Sequence, residues 1–352
     1  MLRGAILGLG NVAVHGHLPG WLAHDHIEIV AAADARPAQR GELTARLPRA
    51  RWYDSAAELL AREQLDFVDI CTPPASHAEL IGAALGRGLH VLCEKPLVCS
   101  LDDLESVRRL ASATGRVLHT VHNWHHAPVI RRIQDLLDRG EIGRVTRVVW
   151  QTLRTKPAAP ADGSNGNWRV DPDVAGGGVL VDHGWHVFYL VLGWLGGPPT
   201  SIGATLETRR HKRWAVEDTA QIRLAFPDAT AEIFLTWAAD RRENTLTLLG
   251  TRGTIRVEGD TLVLARAGPD RGEQRWLCPP PLSDGSHHPD WFHGVAGEFV
   301  DEVREAAPRG VNLREASVCA VLLTLAQESS RHGGQTCPVR VPPPPASSAK
   351  LA

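Results

Sequence analysis

The sequence has no apolar run approaching the roughly 20 residues that a membrane helix needs, so no spanning segment is expected. It also lacks a surplus of positive charge: 38 Lys and Arg stand against 40 Asp and Glu, a formal net charge of −2. Nucleic acid is therefore not an expected partner, because phosphate backbones are gripped by basic surfaces. Cysteines are few, and Cys71, Cys93, Cys99, Cys278, Cys319 and Cys337 form no CxxC pair. Several lie in apolar runs, which points to reduced, buried thiols in a cytoplasmic protein rather than a disulfide framework. Gly8, Gly10, His15 and His17 break the apolar start too early for a secretory signal. Residues 342–352, rich in Pro, Ser and Ala, read as a disordered tail without a peroxisomal tripeptide.

What is present is enough chain, 352 residues, for two cores. The first third alternates strand and helix patterns. Strands are expected at Arg3–Leu7, Ile27–Ala33, Arg51–Tyr53, Phe67–Cys71, His90–Cys93 and Val117–Val121. Helical spacing marks Ala38–Leu47, Ala56–Glu63, Ala78–Gly86 and Leu104–Ala113. Such alternation implies crossovers and a doubly wound parallel sheet, a Rossmann-type α/β domain over residues 1–122. Residues 123–341 read differently. Strands are expected at Val145–Thr152, Ile202–Thr208, Thr219–Phe226, Thr230–Trp237, Thr245–Leu249, Thr254–Val257 and Thr261–Ala265. Several alternate apolar and polar residues, as in an antiparallel sheet with one buried face. With helices at His186–Leu195, Trp291–Ala306 and Arg314–Arg331, this is an α+β domain with an open, mainly antiparallel sheet.

Gly8-Leu9-Gly10-Asn11-Val12-Ala13 follows the first strand and opens a helix, in the GxGxxA form of the dinucleotide fingerprint. Gly8 permits the tight turn, Gly10 lets the backbone approach a pyrophosphate, and Ala13 lets helix and strand pack closely. Asp34 closes the second strand, where a carboxylate accepts from ribose hydroxyls and repels a 2′-phosphate, so NAD is favoured over NADP. Ala35 shares that corner. Arg36 leaves the choice open, as a solvated charge or as a contact to phosphate or adenine. Cys71, Thr72 and Pro73, with His77 beyond, lie at the carboxyl end of the fourth strand, where open parallel sheets bind ligands. Ser76 there reads as a helix N-cap.

Glu94-Lys95-Pro96 follows another buried strand, a position that holds a lysine rigidly at the cofactor end of the sheet. Far along the chain, Gly176-Gly177-Gly178 leads to Asp182 and His186. These pieces in this order resemble the Gfo/Idh/MocA family, named for glucose–fructose oxidoreductase and inositol dehydrogenase. The resemblance covers nearly the whole chain. It implies a Rossmann domain joined to an open-sheet domain, nicotinamide and substrate between them, a cis Lys95–Pro96 bond, and polyhydroxylated substrates such as sugars and cyclitols. Two positions depart from the family pattern: histidine replaces an arginine in Asn123-Trp124-His125-His126-Ala127-Pro128, and Tyr189 stands where relatives often carry Asp.

Oxidising a secondary alcohol needs a hydride acceptor and a base for the hydroxyl proton. Lys95 and His186 are both candidates, and Asp182 could orient His186 or hold a substrate hydroxyl. Asn123, Trp168 and Arg169 are expected to contact substrate, and Glu94 to border the nicotinamide. The glycine triplet reads either as a plain loop or as a close backbone approach to ligand. His122, His125 and His126, like Asp182, His183 and His186, do not match zinc-site spacing, so no metal is expected. The sequence thus describes an NAD(P)-dependent sugar or cyclitol dehydrogenase. A redox-neutral epimerase or glycosidase with tightly held NAD, and a non-catalytic NAD-dependent sensor, are alternatives. The second sheet's free face is expected to pair in a homodimer or homotetramer.

Overall fold

The structure, a computed structural model, describes residues 1–36, 39–159, 166–268, 272–285 and 287–341. The expected tail 342–352 lies outside them. Six strands form the first sheet: β1 (Leu2–Leu7), β2 (Ile27–Ala33), β3 (Arg51–Tyr53), β4 (Phe67–Ile70), β5 (His90–Cys93) and β6 (Leu118–Thr120). All pair in parallel, in the order β3-β2-β1-β4-β5-β6. Crossovers run through α1 (Leu18–Leu22), α2 (Arg40–Arg46), α3 (Ala56–Arg62), α4 (His77–Gly86) and α5 (Leu101–Thr114). Every residue of β4 and β5 is buried, as covered faces on both sides require. Local chemistry sets the helix ends. Ser55 caps α3 through Glu58 N–H, and Ser100 caps α5 through Asp103 N–H. Gly115, at φ +66°, ends α5 in the left-handed region where a side chain would be strained.

Nine strands form the second sheet: β7 (Val145–Leu153), β8 (Ser201–Glu207), β9 (Thr219–Ala225), β10 (Thr230–Thr236), β11 (Glu243–Gly250), β12 (Gly253–Glu258), β13 (Thr261–Arg266), β14 (Gly272–Leu277) and β15 (Cys337–Pro338). The order is β14-β13-β12-β11-β7-β10-β9-β8-β15. Pairing is antiparallel except at the centre, where β7 and β10 run parallel. Alternating burial along β9, β10 and β12 leaves one face inward. Helices α6 (Pro128–Asp138), α7 (Pro172–Ala175) and α8 (Trp185–Leu195) precede β8, and α9 (Pro289–Val303) and α10 (Val311–Arg331) follow β14. Helix α9 returns to the first sheet: Val295 and Phe299 join Ile6, Phe67 and Val121 in one buried cluster. Among the described residues, no helix is long and apolar enough to cross a membrane.

Candidate active site

Two cavities meet at the carboxyl ends of the parallel strands. The outer one, about 590 Å³, is lined by Gly8, Gly10, Asn11, Asp34, Ala35 and Pro73. The inner one, about 150 Å³, lies between Glu94-Lys95 and Asp182–His186, and also touches Asn123. Val12, Cys71, Thr72, Trp168 and Arg169 line both, so they stand at the junction.

The outer cavity begins where β1 turns. Gly8 has φ +90°, and a Cβ there would lie 2.8 Å from Thr72 Cγ2 and 2.9 Å from Thr72 N. At Gly10 a Cβ would meet nothing within 4 Å, so its absence leaves open space at the start of a helix. The first turn of a helix has N–H groups without internal partners and favours an anion. Asp34 accepts from Leu9 N–H at 2.7 Å and from Arg36 through its backbone N–H, Nε and Nη2 at 2.8–3.0 Å. Burial opposes ionisation of Asp34, but Arg36 and then Leu9 hold its carboxyl below the usual range. Arg36 is thus closed on Asp34, an arrangement outside both alternatives read from the sequence.

The neighbouring loop carries two more residues singled out in the sequence. His77 is fully buried and lines neither cavity. Its ring nitrogens lie 2.9 Å from the carbonyls of Thr72 and Pro96, so it ties two strand ends together. Ser76 is the N-cap residue of α4 as expected, but its side chain makes no capping bond; the hydroxyl lies 2.7 Å from Thr72 Oγ1 and 2.9 Å from Pro73 O.

In the inner cavity Lys95 follows β5, and the Lys95–Pro96 bond is cis. The Lys95 ammonium donates to the Asp182 backbone carbonyl at 2.8 Å and to Asp182 Oδ1 at 3.2 Å. Burial opposes charge on Asp182, but Lys95, then His183 and Arg169, hold it far below the usual carboxylate range. Asp182 sits in a π-helical turn, Leu180–Gly184, that runs into α8. The glycine triplet anchors that turn from below. A Cβ on Gly178 would strike the Glu217 carbonyl oxygen at 2.0 Å, and the Glu217 carboxylate accepts from Gly178 and Leu180 N–H at 3.0 Å. Gly178 therefore needs the absence of a side chain to pack against Glu217.

His186 stacks on Trp124, with centroids 4.3 Å apart and planes 8° from parallel. Its Nδ1 lies 3.0 Å from the Tyr189 hydroxyl, which accepts Trp124 N–H at 2.9 Å. A buried hydroxyl that accepts Trp124 N–H still has one proton to give, and among the described residues the acceptor in reach is His186 Nδ1. Hence Nδ1 is the acceptor, and the ring carries its proton on Nε2. Burial, then Lys95 and His183, hold His186 well below the usual histidine range, so this imidazole is neutral.

Beneath Glu94 lies a group the sequence reading missed. His17, buried in the π-helical turn Ala13–His17, spans Asp69 at 2.9 Å and Glu94 Oε1 at 3.0 Å. Trp21 Nε1 also donates to Asp69 at 2.7 Å, and Phe292 stacks on the imidazole at 3.8 Å. Burial works against a charge on His17, yet Asp69 and then Cys71 hold it well above the usual range. The imidazolium thereby fixes Glu94, whose Oε2 accepts the Lys95 backbone N–H at 3.0 Å.

Comparison with known proteins agrees with this geometry. Residues 2–122 match the oxidoreductase family with an NAD-binding Rossmann fold, and residues 130–256 match the GFO/IDH/MocA C-terminal domain. A dTDP-3,4-didehydro-2,6-dideoxy-alpha-D-glucose 3-reductase from Streptomyces antibioticus is 30% identical over 73% of this chain and 75% of its own. The chain belongs to the Gfo/Idh/MocA oxidoreductase family. A D-xylose 1-dehydrogenase (NADP(+)) from Haloferax volcanii is 33% identical, over 58% of this chain and 60% of its own length. Levoglucosan dehydrogenase in complex with NADH shares the fold, with TM-score 0.84 and 21% identity over 97% of this chain and 99% of that one.

Membership makes the first domain of this oxidoreductase an NAD-binding Rossmann domain, and the cradle at Gly8–Val12 fits that cofactor. Of the expected cofactor contacts, all but His77 line one of the cavities, and every expected substrate contact lines the inner one. Beyond them the inner cavity holds Arg154, Arg242 and His183. Arg154 and Arg242 carried no signal in sequence, because the end of β7 and the turn before β11 meet only in the fold.

Proposed function

We propose that this oxidoreductase transfers a hydride between a nicotinamide cofactor and a secondary alcohol or ketone of a sugar, sugar derivative or cyclitol. The observation that carries the reading is Lys95, tied to Asp182 in the inner cavity. Bound nicotinamide supplies hydride acceptance or donation. Everything else is the work of side chains. Two N–H groups of the Lys95 ammonium are used by Asp182, and the third remains for a substrate oxygen in the cavity. Lys95 gives its proton to that oxygen during reduction and takes it back during oxidation. His186, neutral and protonated at Nε2, donates a second hydrogen bond and acts as a polarising donor rather than a base. Asp182 holds the lysine in place and neutralises it. Asn123 Oδ1 is buried without a partner among the described residues and awaits a hydroxyl donor. Trp168, with the Arg169 guanidinium 4.3 Å over its ring, forms a flat wall between the cavities. We further propose NAD as the preferred cofactor, because Asp34 leaves no uncompensated positive charge for a 2′-phosphate while Arg36 stays closed on it. A panel of polyols, aldoses and their ketones, assayed with NAD and NADP at the absorbance of the reduced cofactor, tests the reading. Turnover of at least one polyhydroxylated compound is expected; none across the panel, with the cofactor shown to bind, overturns it.

A further inference from the structure

The walls of the inner cavity are out of electrical balance. Five cationic side chains line it, Lys95, Arg154, Lys156, Arg169 and Arg242, against two carboxylates, Glu94 and Asp182. Both carboxylates are already committed, Glu94 to the His17 imidazolium and Asp182 to Lys95. His183 and His287 add no further positive charge, since burial keeps them down to about 3 and about 4, both neutral.

The imbalance is sharpest at Arg154. Its side chain is 2% exposed, and among the described residues neither it nor Arg242 forms an ion pair. Neutral acceptors hold it instead: Leu153 O at 2.8 Å, Glu243 O at 3.0 Å and Asn244 Oδ1 at 2.7 Å. Its Nε is buried and has no partner among the described residues. Arg242 beside it is held by the carbonyls of Ser283 and Gly285. Burial, then the charge of Arg242, brings Arg154 down to about 9. A buried charge without a counter-ion is costly, and its fixed donors favour whatever anion can reach them. The dinucleotide's phosphates do not meet this need, because neither arginine lines the outer cavity where the helix start receives them.

We propose that the substrate is an anionic polyhydroxylated compound, whose carboxylate or phosphate binds against Arg154 and Arg242 while its reacting carbon faces Lys95. Planar guanidinium groups suit either anion, so the shared chemistry is an oxyanion on a sugar framework. This rests on the reading of the inner cavity as the substrate site, and the test separates the two.

The NAD-saturated enzyme is titrated calorimetrically, and assayed for turnover, with matched series: D-galactose, D-galacturonate and D-galactose-6-phosphate, and the corresponding gluco and manno compounds. In at least one series an acidic member is expected to bind about 30-fold or more tightly than its neutral parent, with affinity falling as salt rises. The uronate and phosphate arms identify which oxyanion is read. Arg242→Gln is expected to lower the acid-to-neutral preference about tenfold. Arg154→Met should abolish it, and if that buried substitution unfolds the protein, Arg242→Gln carries the test alone. Neutral sugars binding as well as their acids in every series, or a preference untouched by Arg242→Gln, overturns the proposal. Acid binding without turnover upholds the anion site and removes the hydride-transfer reading. Turnover of neutral sugars without acid preference does the reverse.

Discussion

Replacing Lys95 by methionine separates proton transfer from cofactor binding. The substitution keeps length and removes the ammonium that donates to the Asp182 carbonyl and carboxylate. Losing a positioned acid/base group typically costs about 10²–10⁴ in rate, or about 3–5 kcal/mol of transition-state stabilisation. The cofactor's phosphates are cradled in the other cavity, at Gly8–Val12, so its affinity should change little. Fold stability needs its own control, since Lys95 and Asp182 are only 16% and 18% exposed and breaking a buried pair is costly. Two neighbours soften that loss: Arg169 Nε at 3.9 Å and His183 Nε2 at 3.6 Å remain beside the carboxylate.

The assay is turnover with the best substrate of the panel, alongside the dissociation constant for NAD and the melting temperature. Lys95→Arg sharpens the result. Arginine keeps a cation and donors near Asp182 but does not release its proton, so it should stay as slow as methionine if proton transfer is the role. Recovery of turnover in Lys95→Arg would reduce the lysine to an electrostatic donor. Near wild-type turnover in Lys95→Met would remove it from the mechanism altogether.

Asp34→Ser should relax cofactor choice toward NADP by about tenfold or more in kcat/KM ratio, since the carboxylate that repels a 2′-phosphate is lost; a wild-type enzyme that already uses NADP as well as NAD contradicts this. Tyr189→Phe removes the hydroxyl that fixes the His186 tautomer and leaves the Trp124 N–H buried without an acceptor, so turnover should fall about tenfold while NAD binding holds; unchanged kinetics would break the tautomer argument. Acid should destabilise the fold through neutral histidines: burial, then Arg116, holds His90 at about 4, and burial holds His183 at about 3. Both lie below the unfolded value, so stability is full above about pH 6.5 and declines toward pH 4, by at most about 1.4 kcal/mol per pH unit for each histidine. Melting temperatures from pH 7.5 to 5 check this, with His90→Gln expected to flatten the slope. The outer face of the second sheet, where Phe234 stays partly exposed while Trp237 is fully buried, should pair with a second copy; sedimentation at micromolar concentration giving a single-chain mass would refute it.

The parallel sheet was legible because short, mainly apolar runs alternate with helical patterns. β2, β3 and β5 fall at their expected bounds. β14 was missed because Gly272–Leu277 is an edge strand with scarcely any buried residue, so no alternation exists to read. α6 is a different case. Pro128 at its start and Val129, Ile130, Ile133 and Leu136 on one face carry a helical pattern that the sequence reading assigns to no element. At the site, Lys95, Asp182 and His186 were accessible through ordered motifs. His17 was not, since its partners Asp69 and Glu94 stand 52 and 77 residues away.

His186 shows most sharply where residue type stops being informative. Histidine near a substrate cavity reads as a base, and its spacing from Asp182 suggests a carboxylate orienting the imidazole. In the fold Asp182 turns to Lys95, and His186 is oriented by Tyr189, one of the two departures from the family pattern. Tyr189 in turn is fixed by the Trp124 N–H, from the segment carrying the other departure. One backbone donor therefore decides which way a hydroxyl points, the hydroxyl decides which ring nitrogen holds a proton, and that proton makes His186 a donor. Proton transfer then falls to Lys95.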